Sequence, residues 1–147
     1  MTALTNYIEN QLIDFLFRGQ PLAAPANVWV ALFTVAPSPA GGGTEVSGGG
    51  YARVEVPCSL AAWAGTQAPG STTASIGFNG TTSNNADLTF PVPTALWGTV
   101  VAVGVFDAAT AGNMLFQGPL AAPLTVNTGN VLRFPAGSLT IQIDTDA

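Results

Sequence analysis

Eight carboxylates, three guanidinium groups and one thiol are the charged or nucleophilic side chains this sequence offers for chemistry; histidine and lysine are absent. The acids are Glu9, Asp14, Glu45, Glu55, Asp87, Asp107, Asp144 and Asp146. A two-carboxylate hydrolase needs two such groups facing each other across a cleft, and nothing in this dispersed spacing sets up a pair. Asp144 and Asp146 share a strand face at the chain end, where solvated charges are a simpler reading than a metal site. Asp107, at a strand end, reads as a turn-former.

The missing histidine removes the commonest general base and the commonest metal ligand together. A serine nucleophile would have neither histidine nor lysine to activate it. Cys58 is the single cysteine, so it forms no intramolecular disulfide. Its neighbours Pro57, Ser59, Leu60, Ala61 and Ala62 supply no base or cation, and it reads as a small buried hydrophobe. The runs Gly41-Gly42-Gly43 and Gly48-Gly49-Gly50 precede no helix and no Lys-Ser/Thr, which excludes a phosphate loop. The expectation is a protein that is not an enzyme, with no catalytic residue, no cofactor, no metal and no small-molecule substrate.

Charge also limits partners. The net charge is −5, with Arg18, Arg53 and Arg133 scattered among the acids, so no basic stripe is available for nucleic acid. Apolar runs are broken by Gly, Pro, Thr or Asn before they reach the roughly 20 residues of a spanning helix, and no membrane partner is expected. The first residues lack a basic stretch followed by an apolar one, so the chain is expected to work where it is made.

These side chains need elements to hold them. Apolar residues at Leu4, Ile8, Leu12, Phe15 and Leu16 follow one helical face, which predicts an amphipathic helix over about 4–18. Asn6 with Glu9 reads as a capping box, and Gly19 as the left-handed cap. Tyr7, Ile13 and Phe17 widen the stripe. This suits a helix lodged against a sheet, or one that also docks on another subunit. Residues 28–34 are apolar on both faces and predict a central strand. The segment 36–50, APSPAGGGTEVSGGG, predicts a long loop, either a flexible connector or a contact arm.

Further strands are predicted over 51–56, with Arg53 and Glu55 paired on the outer face, and over 86–92, 97–107, 113–117 and 139–144, with a hairpin turn at 107–113. Alternation over 73–78 is weak. Trp29 and Trp97 read as core, and Trp63 as either core or an interface anchor. The 147 residues fit one domain: the helix, then a β-domain over about 27–147 carrying the 36–50 loop. The fold class is mainly β, an antiparallel β-sandwich or jelly-roll-like barrel with one N-terminal amphipathic helix. Only 7% of residues are charged against a usual share of about 25%, so much of the surface is uncharged.

Three segments carry a resemblance: LTNYIENQLIDFLFRG, VWVALFTVAPSPAGGGTEVSGGGYARVEV, and LTFPVPTALWGTVVAVGVFDAATAGNMLFQGPL with the later FPAGSLTIQID. Together they resemble a family of small virion structural proteins of tailed bacteriophages. The most specific part is Thr44-Glu45-Val46-Ser47-Gly48 followed by Gly50-Tyr51-Ala52-Arg53, while 58–85 departs from the pattern. The resemblance implies a non-enzymatic virion component made in the host bacterial cytoplasm.

The leading expectation is a capsid decoration or cement protein on the head surface, bridging the major capsid protein and copies of itself as a homo-oligomer. The alternative is a tail-associated module, a minor tail, fibre or baseplate piece binding a virion partner or host receptor. A carbohydrate-binding or carbohydrate-cleaving protein is a third class. The residues expected to touch a partner are Thr44, Glu45, Val46, Tyr51, Trp63, Ile13 and Phe17.

Overall fold

The computed structural model describes residues 3–143, so the Asp144 and Asp146 pair and the end of the last expected strand lie outside the described residues. In chain order the elements are β1 (Ala3–Leu4), α1 (Asn6–Phe17), β2 (Asn27–Val35), β3 (Thr44–Glu45), β4 (Val54–Pro57), β5 (Thr81–Ser83), β6 (Leu88–Thr89), β7 (Gly98–Phe106), β8 (Met114–Val126), β9 (Arg133–Phe134) and β10 (Thr140–Gln142). The fold is mainly β, with antiparallel sheets and one helix among the described residues.

A six-stranded sheet runs β1-β8-β7-β2-β3, with β4 also paired to β2. Two ribbons, β5 with β10 and β6 with β9, complete the structure. Among the described residues the sheets do not close, so no jelly-roll-like barrel forms there. The layering is that of a sandwich, because one face of the large sheet and the ribbons share a core. Val28, Val30 and Leu32 of β2 meet Val103 and Val105 of β7, and pack with Leu88, Leu132, Leu139 and Ile141 from the ribbon side. Alternation along β2 sends Ala31 and Phe33 to the opposite face, where Ala102 joins them.

The central strand falls where the apolar run predicts it, between β7 and the β3/β4 edge. Several expectations are corrected. The helix starts at Asn6, because Leu4 is drawn into β1 opposite Phe116 and Thr5 becomes the N-cap. The Thr5 hydroxyl bonds the carbonyls of Met114 and Leu115 on β8 instead of capping the helix, so no Asn6/Glu9 capping box forms. Gly19 takes the expected left-handed conformation, and the Gln20 N–H bonds the Asp14 carbonyl.

β8 runs well past the expected end at Gln117, through Pro119 and Pro123. Only β7 pairs with it there, so the missing proline N–H groups leave no partner strand unsatisfied on the open side. The strand expected over 86–92 shrinks to Leu88–Thr89, and that over 51–56 forms only from Val54. No strand forms at 73–78. The Gln67 side chain bonds Thr73, the Ala74 carbonyl and the Ile76 N–H, and holds that stretch as a loop. Cys58 is exposed, not buried, because it leaves β4 at the rim of a cavity. Trp97 is core, whereas Trp29 is half-buried on the opposite face of β2 from Val28 and Val30.

The ribbons are joined by one buried polar side chain. Asn84 donates to the carbonyls of Ala86 (2.8 Å), Phe134 (3.3 Å) and Pro135 (3.0 Å) and accepts from the Leu139 N–H at 2.9 Å. Asn84→Ala strands the Leu139 N–H and should cost about 2–3 kcal/mol in urea unfolding. An unchanged midpoint would mean the ribbons are held by packing alone.

Candidate functional site

Arg53 lies just ahead of β4, and its side chain is only 6% exposed. Its Nε and one terminal nitrogen each donate to Glu45 at 2.8 Å, a two-pronged ion pair. The other terminal nitrogen donates to the carbonyls of Ala108 (2.8 Å) and Ala111 (2.9 Å) in the β7–β8 hairpin. The guanidinium also sits 3.7 Å over the centre of the Phe106 ring. The expected Arg53–Glu55 surface pair therefore does not form. Glu45, brought alongside by β3 pairing with the end of β2, offers the closer carboxylate and a site sheltered from water.

Tyr51 completes the cluster. Its hydroxyl donates to Glu45 at 2.9 Å and accepts from the Leu32 N–H at 3.0 Å, tying the carboxylate to the middle of β2. Its ring lies edge-on to Trp97, 5.3 Å between centres, and stacks near Phe90. The glycines ahead of it permit this approach. Gly49 has φ +56°, and a Cβ there would lie 3.0 Å from the Trp97 ring, whose indole N–H donates to the Gly49 carbonyl at 2.8 Å. Beneath Arg53, Phe33 stacks on Phe106 at 6.2 Å. Gly104 leaves room for both rings, since a Cβ there would meet Phe33 at 2.9 Å.

The electrostatics follow from this packing. Burial alone would raise the Glu45 carboxyl, but hydrogen bonds from Arg53 and Tyr51, with the Arg53 charge, outweigh it and hold the group below the ordinary carboxylate range. Burial pushes the Tyr51 phenol up and the adjacent Glu45 charge adds to this, although the Leu32 bond opposes it, so Tyr51 remains a neutral donor. Partial desolvation at the cavity rim also raises the Cys58 thiol, the opposite of what a reactive cysteine needs.

The candidate residues thus divide. Glu45, Val46 and Tyr51 turn inward: Val46 is core, and its N–H bonds the Leu32 carbonyl at 2.9 Å. Thr44 is exposed at the edge of the sheet. The 36–50 segment is therefore fastened to β2 and Trp97 and is not a free connector, while most of its residues stay exposed. Trp63 lies elsewhere, half-buried with Cys58, Val28 and Ile141 around an apolar cavity of about 320 Å³. Ile13 and Phe17 stand on α1, 53% and 78% exposed. The residues that sequence reasoning missed are Phe106, Ala108 and Ala111, whose link to Arg53 spans more than fifty positions and leaves no local signal.

All three arginines are spent on acids of the same chain: Arg18 on Asp14, Arg53 on Glu45 and Arg133 on Asp87. Among the described residues no three of His, Cys, Asp and Glu come close enough to hold a metal. What the Glu45–Tyr51–Arg53 cluster can do is hold the fold, since its donors and acceptors are turned on one another.

Arg53→Ala should cost about 3–5 kcal/mol in chemical unfolding, because it leaves a sheltered carboxylate unpaired. Arg53→Lys should recover less than half, lacking the second prong and the flat face for Phe106. Full recovery by lysine would show that charge alone suffices. Because Glu45 is depressed in the folded state, its contribution is complete above the ordinary carboxylate value of 4.5 and is lost as pH falls through the folded value. Melting temperature should therefore drop more steeply below that pH for the natural chain than for Glu45→Gln. Parallel curves would remove Glu45 as the cause.

No curated protein matches this chain in sequence. A family model described as Podophage GP4 fiber I protein gp80 matches residues 3–142, which takes in the helix, the Glu45–Tyr51–Arg53 cluster and both ribbons. That span is nearly the whole sequence, and the earlier resemblance to phage virion structural proteins is met in its fibre-type form. The chain belongs to the podophage GP4 fiber I protein gp80 family.

Proposed function

We propose that this protein is a non-enzymatic, tail-associated structural module of a phage particle, a fibre-type component that works by contact. The observation that carries this reading is the fibre family match over residues 3–142. It favours the tail-associated alternative over the capsid-cement reading. The geometry agrees with a passive role: the most elaborate polar cluster is turned inward, and the arginines are neutralised within the chain.

The outer surface supports contact with other protein. Leu16, Phe17, Leu60, Ile76 and Phe78 are large apolar side chains more than half exposed, and no charged residue occurs between Glu55 and Asp87. Such a surface loses little hydration when covered. Its partners on this reading are copies of itself and a neighbouring tail protein, without nucleic acid, membrane or small-molecule substrate.

Gold-labelled antibody against this chain, applied to intact virions, should mark the tail. Label confined to the head would overturn the proposal and return the cement reading, with the major capsid protein as partner.

A further inference from the structure

Asn79-Gly80 is the single Asn-Gly step in the sequence, and it stands at the tip of a loop pinned on both sides. Before it, the Gly77 N–H donates to the Thr66 hydroxyl at 2.8 Å. After it, the Gly80 carbonyl accepts the Ile143 N–H at 3.0 Å, and Thr81 begins β5. Between these anchors Phe78 is 99% exposed and Asn79 is exposed beside it, so little packs against the tip. The Asn79 side chain is folded forward along the chain: its Oδ1 accepts the Thr81 N–H at 3.2 Å, and the Thr81 hydroxyl donates to the Asn79 carbonyl at 3.1 Å. Such an Asx-type turn carries the side-chain amide carbon toward the nitrogen that follows it, that of Gly80. The Gly80 N–H has no acceptor among the described residues.

We infer that Asn79 is a site of spontaneous covalent modification, converting through a cyclic succinimide to aspartate and isoaspartate. The Gly80 backbone nitrogen gives its proton to solvent base and attacks the carbonyl carbon of the Asn79 side chain, and the new bond closes the ring. The carbon–nitrogen bond of the side-chain amide then breaks, and its nitrogen takes up a proton and leaves as ammonia. Water opens the ring at one of its two carbonyls. Cleavage between the ring nitrogen and the side-chain carbon gives aspartate; cleavage between the nitrogen and the backbone carbonyl gives isoaspartate. Nothing is oxidised or reduced. The Thr81 N–H, already on Oδ1, stabilises the negative charge that gathers on that oxygen during attack.

Gly80 selects this position. It has no Cβ to obstruct the approach, and its φ of +56° suits glycine alone. Every other asparagine precedes a residue with a side chain, and several are held in place: Asn84 is fully buried with both ends of its amide bonded, and Asn113 has its amide on Asp107. The product also falls where charge is scarce. No charged residue occurs between Glu55 and Asp87, so the new carboxylate stands alone beside the exposed Ile76 and Phe78. Isoaspartate further lengthens the backbone by one atom just ahead of Gly80, which receives the Ile143 N–H and lines the apolar cavity with Cys58 and Trp63. Ageing of the chain therefore alters both the charge and the path of this loop.

Peptide mass mapping of the full chain, stored folded for weeks in mildly alkaline buffer, tests this. Position 79 should convert before every other asparagine, as a mixture of aspartate and isoaspartate, and in water enriched in heavy oxygen each product should carry solvent oxygen. Ion exchange should show a growing species that is more acidic by one charge. Gly80→Ala should slow conversion by roughly tenfold or more, because a Cβ crowds the attacking nitrogen. Alanine is strained at that φ, so Asn79→Gln, which keeps Gly80 in place, serves as the second variant and should remove the acidic species. An amide that persists at position 79 throughout, earlier conversion at another asparagine, or a rate indifferent to Gly80→Ala would overturn the inference. None of these outcomes bears on the tail location.

Discussion

Arg53 is where three stretches of chain meet: the Gly-rich segment through Glu45, the start of β4 through its own backbone, and the β7–β8 hairpin through the Ala108 and Ala111 carbonyls. Taking a guanidinium this far out of water costs several kcal/mol, which is offset only when its donors find acceptors in good geometry. Here two go to a carboxylate, two to carbonyls, and the flat face lies on Phe106. Remove one partner and the others are misplaced. The dependence extends inward, because Phe106 stacks on Phe33, and Tyr51 links the same carboxylate to the middle of β2.

This explains why a sequence so poor in charge keeps an acidic residue inside a Gly-rich stretch and a basic one just after it. The segment 36–50 has little apolar content with which to dock itself. Val46 supplies one buried side chain, and the Gly49 carbonyl takes the Trp97 indole N–H. The remaining hold comes from the ion pair together with backbone bonds, Val46 N–H to the Leu32 carbonyl and Thr94 N–H to the Gly49 carbonyl among them. A loop that length would otherwise sacrifice conformational entropy for little return, so the fastening is an electrostatic solution to a packing shortage.

Much of the fold was legible because periodicity reports burial directly. The run Val28 to Thr34 is apolar on both sides and lies in the middle of the large sheet, and the turn at 107–113 is the hairpin expected, closed by Asp107 accepting the Asn113 N–H at 2.7 Å. Gly19 marks the helix end. What could not be read was pairing at long range. Arg53 and Glu55 look like partners because they alternate, and only the arrival of β3 beside β2 reveals Glu45 as the nearer acid. The same applies to Thr5, whose hydroxyl is claimed by β8, more than a hundred positions away. Tyr51 and Glu45 were expected to touch a partner, but the sequence does not say which way they face, and in the structure they bind Arg53 and β2 of their own chain. The exposed stripe of α1 was visible as an excess of apolar positions; its lack of cover required the structure.

Scarce charge, an inward-turned polar cluster and an uncovered helix converge on a protein that acts by being built into something. A cryo-electron reconstruction of the whole particle tests that most directly, since it locates the chain and its neighbours together. The account predicts density for this fold on the tail, with α1 covered by protein. Density spread over the capsid lattice, or α1 left open to solvent in the assembled particle, would contradict it.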